Sequence, residues 1–461
     1  MVSQAPAAGR PLPRTPAVSG VLETLAFLRD PLFAQRRFQQ FGDVFQTTLL
    51  GQPMVFVRGG PAIADLLAQP EATSGWWPES VRQLLGSHSL ANRSGPDHRA
   101  RRRVVAQLFS ATALRRYSPR IVALVQELVQ ELQRSEPPLV LVERLRRFAF
   151  AVIATVVLGL EGEEREALFL DFEIWTRALF SLPLALPGTP FARALQARRR
   201  LLERLGAVLE RARCRAAAGE AAAGGLDLLS DGLDEAGLPL ADADLVEQLL
   251  LLLFAGYETT ASSLSCLMAA VLQQPGLSEW LQPELDALPW PPPQADLQAY
   301  DPAAAPRLAA TISEVMRLNP PVGGFFRRTN RDLLLAGVQV PAGMVVQVAL
   351  SASNRYRSRP QHGAEDPRPI DRSEGAPDDL ELFRPQRHLE GEDGLTLLPF
   401  GGGERVCLGR SLAELEIRLL AVGLLKQLTL ALEADQDLTL KIIPSPSPAD
   451  GLLVRAYSRA S

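Results

Sequence analysis

A cysteine at the end of a glycine-rich loop is the residue of this chain best suited to chemistry. Cys407 lies in the segment Phe400-Gly-Gly-Gly-Glu-Arg-Val-Cys-Leu-Gly409, and a helical pattern follows it directly. Consecutive glycines let a backbone turn tightly and approach a flat ligand closely. The unsatisfied N–H groups and the positive dipole at a helix start favour a thiolate over a thiol. Such a thiolate could be the axial ligand of a haem iron, and Arg405 could pair with a haem propionate.

The same glycines could instead belong to a phosphate-binding loop with an incidental cysteine. Nucleotide loops of that kind place Lys and then Ser or Thr after the glycines, and this segment has neither. The other cysteines, Cys214 and Cys266, are widely spaced and form no Cys-x-x-Cys motif. This spacing disfavours a disulfide framework and fits a reducing compartment.

A second constellation, Ala255-Gly-Tyr-Glu-Thr-Thr260, lies within an apolar pattern over residues 244–275 that predicts a long helix. Gly256 weakens such a helix, and the hydroxyl of Thr259 can bond the carbonyl four residues earlier. We therefore expect a bulge that exposes a polar pocket. Glu258 closely follows a run of leucines, where burying a carboxylate is costly unless it is paired or works chemically. An ordinary Ser/Thr-rich helix end is the alternative at this point.

Composition limits the class of protein. The chain has 461 residues, of which 47% are hydrophobic, and a net charge of −4. It can therefore bury a large core, and no overall basic balance indicates nucleic acid. The N-terminus lacks an apolar signal segment, and the longest uncharged apolar run, about residues 148–160, is too short to span a bilayer. These features favour a cytoplasmic protein without a transmembrane anchor.

The elements that position these residues are predicted to be mainly helical. Helical spacing extends from about residue 98 to 280, and another helix is expected over residues 408–428, with the following residues on one face: Leu412, Leu415, Leu419 and Val422. Turn and alternation signals predict a hairpin over residues 44–57 around Gly51 and short strands over residues 335–349. Irregular segments are expected at residues 1–24, 181–191, 287–304 and 355–394. With no repeat and no dividing linker, residues 25–461 are predicted to form one domain.

The cysteine loop matches every fixed position of the haem-binding signature of the cytochrome P450 family, the haem-thiolate monooxygenases. The resemblance implies haem b, with Cys407 on the iron and further cofactor contacts from Phe400, Gly401 and Arg405. The segment around Glu258 and Thr259 resembles the family's oxygen-activation motif. There Thr259 would help to hold iron-bound oxygen and relay protons, and Glu258 would assist their supply. The implied fold is mainly α with small β-sheets, a single large helical domain with a smaller β-rich lobe.

Further motifs of the family follow in the expected order. Glu314-Val-Met-Arg317 resembles the ExxR element, and Phe383-Arg-Pro-Gln-Arg-His388 resembles the segment whose arginine, here Arg387, completes it. His388 stands where the family pattern has Phe. The resemblance implies that Glu314, Arg317 and Arg387 form a folding scaffold for the haem loop. Taken alone, Glu314 and Arg317 would be a commonplace surface pair.

His98 and Arg102 resemble a family pattern whose ends contact haem propionates, and their spacing places them on one helix face. The histidine could also be an alternative haem ligand, which the more specific cysteine loop disfavours. The basic run of Arg99, Arg101, Arg102 and Arg103 is by itself a solvated face. In the family the corresponding helix borders the surface where an electron donor docks, and an acidic ferredoxin would suit it.

A narrower resemblance concerns the substrate. Residues 77–86 with 90–92, 254–262 and 320–327 are similar to the retinoic acid hydroxylases and their cyanobacterial relatives, with weaker similarity at 181–187 and 444–448. These segments imply an apolar pocket whose candidate lining residues are Trp77, Phe254, Val322, Phe325 and Phe326. Ordinary core packing is at least as good an interpretation of each aromatic residue. Arg82 or Arg327 could receive a substrate carboxylate, and a propionate role is preferred for Arg327.

The resemblance thus implies a monooxygenase that hydroxylates an elongated apolar molecule, a retinoid or apocarotenoid, with O2 and two electrons from a separate ferredoxin-type donor. Fatty acids, sterols or terpenoids are alternative substrates. A peroxide-driven peroxygenase is a second possibility, which the Glu258–Thr259 pair disfavours. A haem-thiolate sensor or carrier is a third, for which no signalling module is found. The apolar loop 181–191 could make loose contact with a membrane.

Overall fold

The computed structural model describes residues 9–16, 19–30, 32–49, 51–229, 232–293, 303–357, 379–391 and 397–459. It divides into two compact units. The β-rich unit comprises Met1–Trp76 and Ser313–Cys407, and the helical unit comprises Trp77–Ile312 and Leu408–Ser461. The predicted irregular segments 287–304 and 355–394 lie partly outside the described residues.

The described residues are mainly α-helical with small β-sheets, as predicted. The helices are α1 Gly20–Arg29, α2 Phe33–Phe41, α3 Gly60–Leu67, α4 Glu79–Leu85, α5 Gly95–Ala106, α6 Ala111–Arg134, α7 Leu141–Val156, α8 Gly162–Thr176, α9 Pro190–Ala217, α10 Asp242–Gln273, α11 Leu277–Ala287, α12 Pro306–Leu318, α13 Leu350–Ser353, α14 Arg387–Glu390 and α15 Arg410–Gln427. The strands are β1 Val44–Leu49, β2 Gln52–Val57, β3 Thr73–Gly75, β4 Leu139–Val140, β5 Gly324–Thr329, β6 Leu333–Leu335, β7 Val338–Val340, β8 Val345–Ala349, β9 Leu428–Leu432, β10 Leu440–Lys441, β11 Ser447–Pro448 and β12 Leu453–Ser458.

The β-rich unit is built on a five-stranded sheet in the order β1-β2-β8-β5-β3. Its β1–β2 pair is the predicted antiparallel hairpin, in which Gly51 takes the left-handed conformation with φ of 74°. Strand β8 runs parallel to β2, and β6 and β7 form a separate pair, so the short strands predicted over 335–349 are confirmed. Alternating residues of β2 enter two different apolar clusters, Val55 in one and Phe56 in the other. The sheet is therefore buried on both faces.

The first helix begins inside the segment 1–24 that was expected to be irregular. Helix α1 starts at Gly20 and carries Glu23, whose side chain is nearly buried. The carboxylate of Glu23 accepts hydrogen bonds from Arg37 at 2.7 and 3.0 Å and from the hydroxyl of Thr47 at 3.0 Å. Residues of α2 and β1 thus hold this helix in place. The local Pro- and Ala-rich composition gives no sign of these partners, so the prediction of an irregular segment was wrong from Gly20 onward.

The long apolar helix of the helical unit, α10, packs against α7, α9 and α15. It is helical without interruption from Asp242 to Gln273, so the bulge expected near Gly256 is absent. A Cβ added at Gly256 would lie 2.5 Å from the Cγ1 atom of Ile153. This glycine therefore allows the close approach of the Ile153 side chain of α7, which would have to shift if residue 256 carried a Cβ. The predicted hydrogen bond from Thr259 Oγ1 to the Ala255 carbonyl is present at 2.6 Å.

Helix α10 is also long and apolar enough to cross a membrane, judged by length and composition alone. Two thirds of its most apolar window, 67%, is buried inside the protein, as in the core helix of a globular domain. The predicted loop 181–191 follows α8, and its last two residues are the first two of α9; its leucines at 182, 184 and 186 are exposed. The apolar side chains of this loop are therefore exposed to solvent, whereas most of the apolar surface of α10 is buried.

Candidate active site

The loop before Cys407 has the conformation that its glycines allow. Gly401 and Gly403 have φ of 71° and 67°, in the left-handed region that glycine populates readily. The N–H of Cys407 donates to the carbonyl of Phe400 at 2.9 Å and closes the loop, and the Cys407 side chain is exposed. Helix α15 begins at Arg410, two residues later than the predicted start at 408, and its apolar face is buried as expected. An exposed thiol on a tight glycine loop suits a metal-ligating thiolate.

Two guanidinium groups of the β-rich unit lie close together. Burial and the neighbouring charge of Arg405 lower the pKa of Arg327 on β5 to about 10. Glu404 is the carboxylate beside this pair, 4.0 Å from the Arg405 guanidinium. Arg405 also packs on the backbone of β3, since a Cβ at Gly75 would lie 2.8 Å from its Cζ atom. A propionate carries the negative charge that two neighbouring guanidinium groups favour, so these residues fit a haem propionate.

The ExxR glutamate has several charged partners, and none of the central groups is at the surface. Arg317 donates to both oxygens of Glu314 at 2.8 and 2.9 Å, and Arg387 donates to one at 3.1 Å. The side chains of all three residues are 0% exposed. Arg317 also donates to the carbonyls of Asn354 and Leu380, at 3.0 and 2.8 Å. The predicted trio is thus brought together as a buried cluster, and the surface-pair alternative is wrong.

His388 joins this cluster, which accounts for a polar residue where the family pattern has Phe. Its Nε2 atom lies 2.9 Å from Oε2 of Glu314. Burial by itself would raise the pKa of Glu314, but hydrogen bonds from Arg317, His388 and the backbone N–H of Arg384 lower it to about 2. The carboxylate is therefore ionised at neutral pH.

On α10 of the helical unit, Glu258 is buried and forms an ion pair. Nη2 of Arg146 on α7 lies 2.7 Å from one carboxylate oxygen and 2.6 Å from the other. Two residues later, the Thr260 hydroxyl donates to Glu416 of α15 at 2.8 Å. Sequence reasoning missed Arg146 and Glu416, since each lies more than a hundred residues from its partner along the chain. No motif or spacing indicates either pair.

The propionate-pattern residues lie on α5 of the helical unit, where His98 is 2% exposed and Arg102 is half-buried. The basic run around them is not a uniform solvated face. Arg101 points inward at 5% exposure and pairs with Asp97 at 2.6 Å and with Asp244 at 3.4 Å. Arg99 and Arg103 are exposed. The prediction of a solvated run is therefore wrong for Arg101, because acidic groups of the same unit neutralise it.

The substrate candidates of the helical unit have ordinary surroundings. Trp77 is half-buried, and Phe254 packs edge-on against Trp175 with ring centroids 5.9 Å apart. Arg82 is 61% exposed and donates to Glu79 at 2.6 and 3.0 Å. A substrate carboxylate would have to compete with Glu79 for this guanidinium.

The candidates of the β-rich unit do not share one face. Phe325 and Phe326 are successive residues of β5, and they pack against different apolar clusters. Side chains alternate along a strand, so only one of the two can face a given pocket. Phe326 meets Trp76 edge-on at 5.2 Å, Phe325 lies under the Arg327 guanidinium at 4.7 Å, and Val322 is 45% exposed.

The chain is similar in sequence and structure to known proteins. The family model described as Cytochrome P450 matches residues 13–358 and 378–452. Cytochrome P450 120 of Synechocystis sp. is 34% identical over 437 residues, which cover 95% of this chain and 94% of that protein. Cytochrome P450 26B1 of Mus musculus is 32% identical over 439 residues, covering 92% of this chain and 82% of that protein.

A solved structure described as retinoic acid bound cyanobacterial CYP120A1 matches with a TM-score of 0.83 at 32% identity. The match covers 98% of this chain and 100% of the other. Fold, cysteine loop and family match agree, and the residues around Cys407 fit the cofactor. The chain therefore belongs to the cytochrome P450 family and is a haem b-dependent monooxygenase with the P450 fold.

Proposed function

We propose that this P450 hydroxylates a retinoid or a related apocarotenoid, using O2 and two electrons from a ferredoxin-type donor. One observation carries the substrate class: the similar solved structure, which aligns with nearly the whole chain, is described as retinoic acid bound. The segments 77–86 and 320–327, which resemble retinoic acid hydroxylases, support the same class.

The cysteine-loop residues and their neighbours would hold the cofactor. Cys407 would ligate the iron, Arg327 and Arg405 would pair with propionate charge, and Phe400 and Gly401 would pack beside the ring. His98 and Arg102 of α5 are proposed as further propionate contacts. A cysteine-ligated haem supplies, when bound, the chemistry that activates O2 and inserts one oxygen atom into a C–H bond. The buried cluster of Glu314, Arg317 and Arg387 is proposed to keep the haem loop in shape.

Glu258 and Thr259 are proposed as the groups that handle protons. The Thr259 hydroxyl donates its own hydrogen to the Ala255 carbonyl, which leaves the lone pairs of Oγ1 able to accept another. Glu258 is the adjacent carboxylate, buried in the same helix. Glu258 would thus take up protons, and Thr259 would pass them on at Oγ1.

The substrate would be held mainly by apolar contact. Trp77, Phe254, Val322 and one of the two phenylalanines of β5 are the proposed lining residues, and few polar groups are needed for an elongated hydrocarbon. For a carboxylate at one end, Arg82 is the better candidate, because burial beside Arg405 favours a propionate for Arg327.

Two structural features support a proposal about the cellular location of the enzyme. The exposed leucines of loop 181–191 support the loose membrane contact that we propose for this loop. The enzyme is otherwise proposed to be cytoplasmic, since its most apolar helix is largely buried.

A spectral titration of the purified haem protein tests the substrate class. All-trans-retinoic acid and retinal are expected to produce a low-spin to high-spin shift, and a sterol, a fatty acid and a terpenoid of similar length are expected not to. If only the latter compounds shift the spectrum, the retinoid proposal is wrong and the family chemistry is unaffected. Cys407→Ala is the control for the site: it should lose the red-shifted Soret band of the reduced carbon monoxide complex, which depends on the thiolate.

A further inference from the structure

A cavity in the helical unit involves none of the residues to which a role has been assigned. Its volume is about 210 Å³, and it is lined by residues that follow α7, by the start of α8, by the last turns of α9 and by the segment after α9. The apolar part of the lining consists of side chains that are at most 5% exposed: Leu158, Leu160, Val208 and Leu226. Pockets for drug-sized ligands begin at about 300 Å³, so this cavity suits a compact molecule rather than an elongated retinoid.

One wall of the cavity is held in place by the protein itself. Segment 222–224 lines the cavity, and two arginines of α6 donate to its carbonyl groups. Arg116 donates to the first and third of these carbonyls, and Arg120 donates to the second. Gly224 lies close to the end of α7, since a Cβ there would be 2.5 Å from the carbonyl oxygen of Val157. The cavity is therefore preformed, as most ligand sites are.

Most of the charged side chains around the cavity are neutralised by a neighbour. Arg211 of α9 forms an ion pair with Glu164 of α8. The carboxylate of Asp227 accepts hydrogen bonds from Arg116 at 2.9 and 3.1 Å. These groups already have their counter-charges, so they do not require a charged ligand.

Arg215 and Glu220 are different. Both line the cavity and are exposed, and in the part of the chain that the structure describes their side chains have no hydrogen-bond or ion-pair partner. The backbone N–H of Glu220 donates to the carbonyl of Arg215 at 3.0 Å, which keeps the two residues close together where α9 ends. One cation and one carboxylate are thus available beside an apolar cavity.

We propose that this cavity binds a compact zwitterion with an apolar side chain, of the chemical class of a free apolar α-amino acid. The carboxylate of the ligand pairs with Arg215 and its ammonium group with Glu220, while its side chain fills the apolar part of the cavity. A ligand with a single charge would leave either Arg215 or Glu220 without a partner. Binding involves neither the haem residues nor the retinoid substrate.

Calorimetric titration of the full-length haem protein tests the ligand class. L-leucine is expected to bind saturably and to leave the Soret band unchanged. Three analogues each lack one feature and should bind about tenfold more weakly: 4-methylpentanoate without the ammonium group, L-leucinamide without the carboxylate, and glycine without the apolar side chain. Equal affinity for L-leucine and 4-methylpentanoate would contradict the zwitterionic class. A Soret shift with L-leucine would locate its binding at the haem and overturn the proposal.

Exposed charges are replaced to test the location of the site. Arg215→Gln and Glu220→Gln should each weaken L-leucine binding by about tenfold. Arg213→Gln is the matched control, because Arg213 lies outside the cavity lining and pairs at the surface with Asp242, where the side chains are 45% and 68% exposed. This control should bind L-leucine like the wild type.

Far-UV circular dichroism and the carbon monoxide band of the reduced protein establish that each variant is folded and loaded with haem. The proposal is wrong if the folded wild type shows no saturable binding of L-leucine. It is equally wrong if Arg215→Gln and Glu220→Gln both bind L-leucine as tightly as the wild type, or if Arg213→Gln weakens binding as much as they do.

Discussion

Glu416 and Glu314 are both buried carboxyl groups, and their surroundings give them different charge states. Glu416 is wholly buried inside the helical unit. Burial raises its pKa to about 8, although the hydrogen bond from Thr260 acts to lower it. Glu314 receives hydrogen bonds from two arginines, a histidine and a backbone N–H, and its pKa falls to about 2. At neutral pH the first is therefore mainly protonated and the second ionised, so burial alone does not decide the charge of a carboxyl group.

The raised pKa of Glu416 predicts a dependence of stability on pH. The folded protein holds this proton up to about pH 8, whereas the ordinary value is 4.5. The contribution of this bound proton to the free energy of unfolding is therefore fully present below about pH 4.5, and it is lost as the pH rises through about 8. Glu416→Gln keeps a neutral acceptor for Thr260 and does not titrate. Relative to this variant, the wild type should lose on the order of 1 kcal/mol of stability per pH unit within that window.

The measurement is the melting temperature of the wild type and of Glu416→Gln over this pH range. Glu414→Gln is the control, because that residue is on the same helix and pairs with Arg410 near the surface. Equal pH dependence of the wild type and Glu416→Gln would show that Glu416 does not titrate as described.

At the scale of elements, α10 carries Glu258 and Thr260 and contacts the helices whose residues bind them. It packs against α7, which supplies Arg146, and against α15, which supplies Glu416. Its C-terminal half is also tied to residues before β11, since Ser262 Oγ donates to the Pro446 carbonyl at 2.7 Å. The separation between α7 and α10 therefore matters for the geometry of the Arg146–Glu258 pair.

Gly256 faces Ile153 of α7 at close range, so Gly256→Ala is expected to destabilise the protein. The new methyl group would lie 2.5 Å from Cγ1 of Ile153 and force this side chain or the helix to move, at a cost of about 1–3 kcal/mol. Gly206→Ala is the matched control in α9, where the added Cβ would have no neighbour within 4 Å. Because alanine favours a helix over glycine, the control should be stabilised by up to about 1 kcal/mol. Thermal unfolding of both variants tests the contrast; a neutral Gly256→Ala would contradict it.

At the scale of the whole molecule, charge is nearly balanced, with 48 basic and 52 acidic residues. Attraction of an acidic donor must therefore come from local cations rather than from net charge. Arg99 and Arg103 of α5 are exposed, whereas Arg101 is neutralised by Asp97 and Asp244. Only the two exposed arginines of this group are suited to steer a ferredoxin.

Reversal of these two charges tests the proposed donor. Arg99→Glu combined with Arg103→Glu should slow reduction by an acidic ferredoxin by about tenfold at low ionic strength, and flatten the dependence of the rate on salt. Stopped-flow reduction in the presence of carbon monoxide measures this rate. Arg199→Glu, an exposed site on α9, should leave it unchanged. An unaltered rate in the double variant would exclude this surface as the docking site.

Much of the chemistry and of the local structure could be read from the chain alone. The loop before Cys407, the hairpin at Gly51 and the Thr259–Ala255 hydrogen bond depend on residues a few positions apart. The i,i+3 pair of Glu314 and Arg317 is equally local. Such features follow from backbone conformation and helix or strand periodicity, which short segments carry in full.

Only the tertiary structure decided which charges are paired and which faces are buried. Arg146 reaches Glu258 across 112 residues, and Arg101 turns inward because acidic residues far along the chain neutralise it. Phe325 and Phe326 lie on opposite faces of β5, and the apolar cluster that each one joins depends on which residues cover that face of the sheet. These outcomes are set by long-range electrostatic and packing energies, in which each residue's role depends on partners that no local pattern specifies.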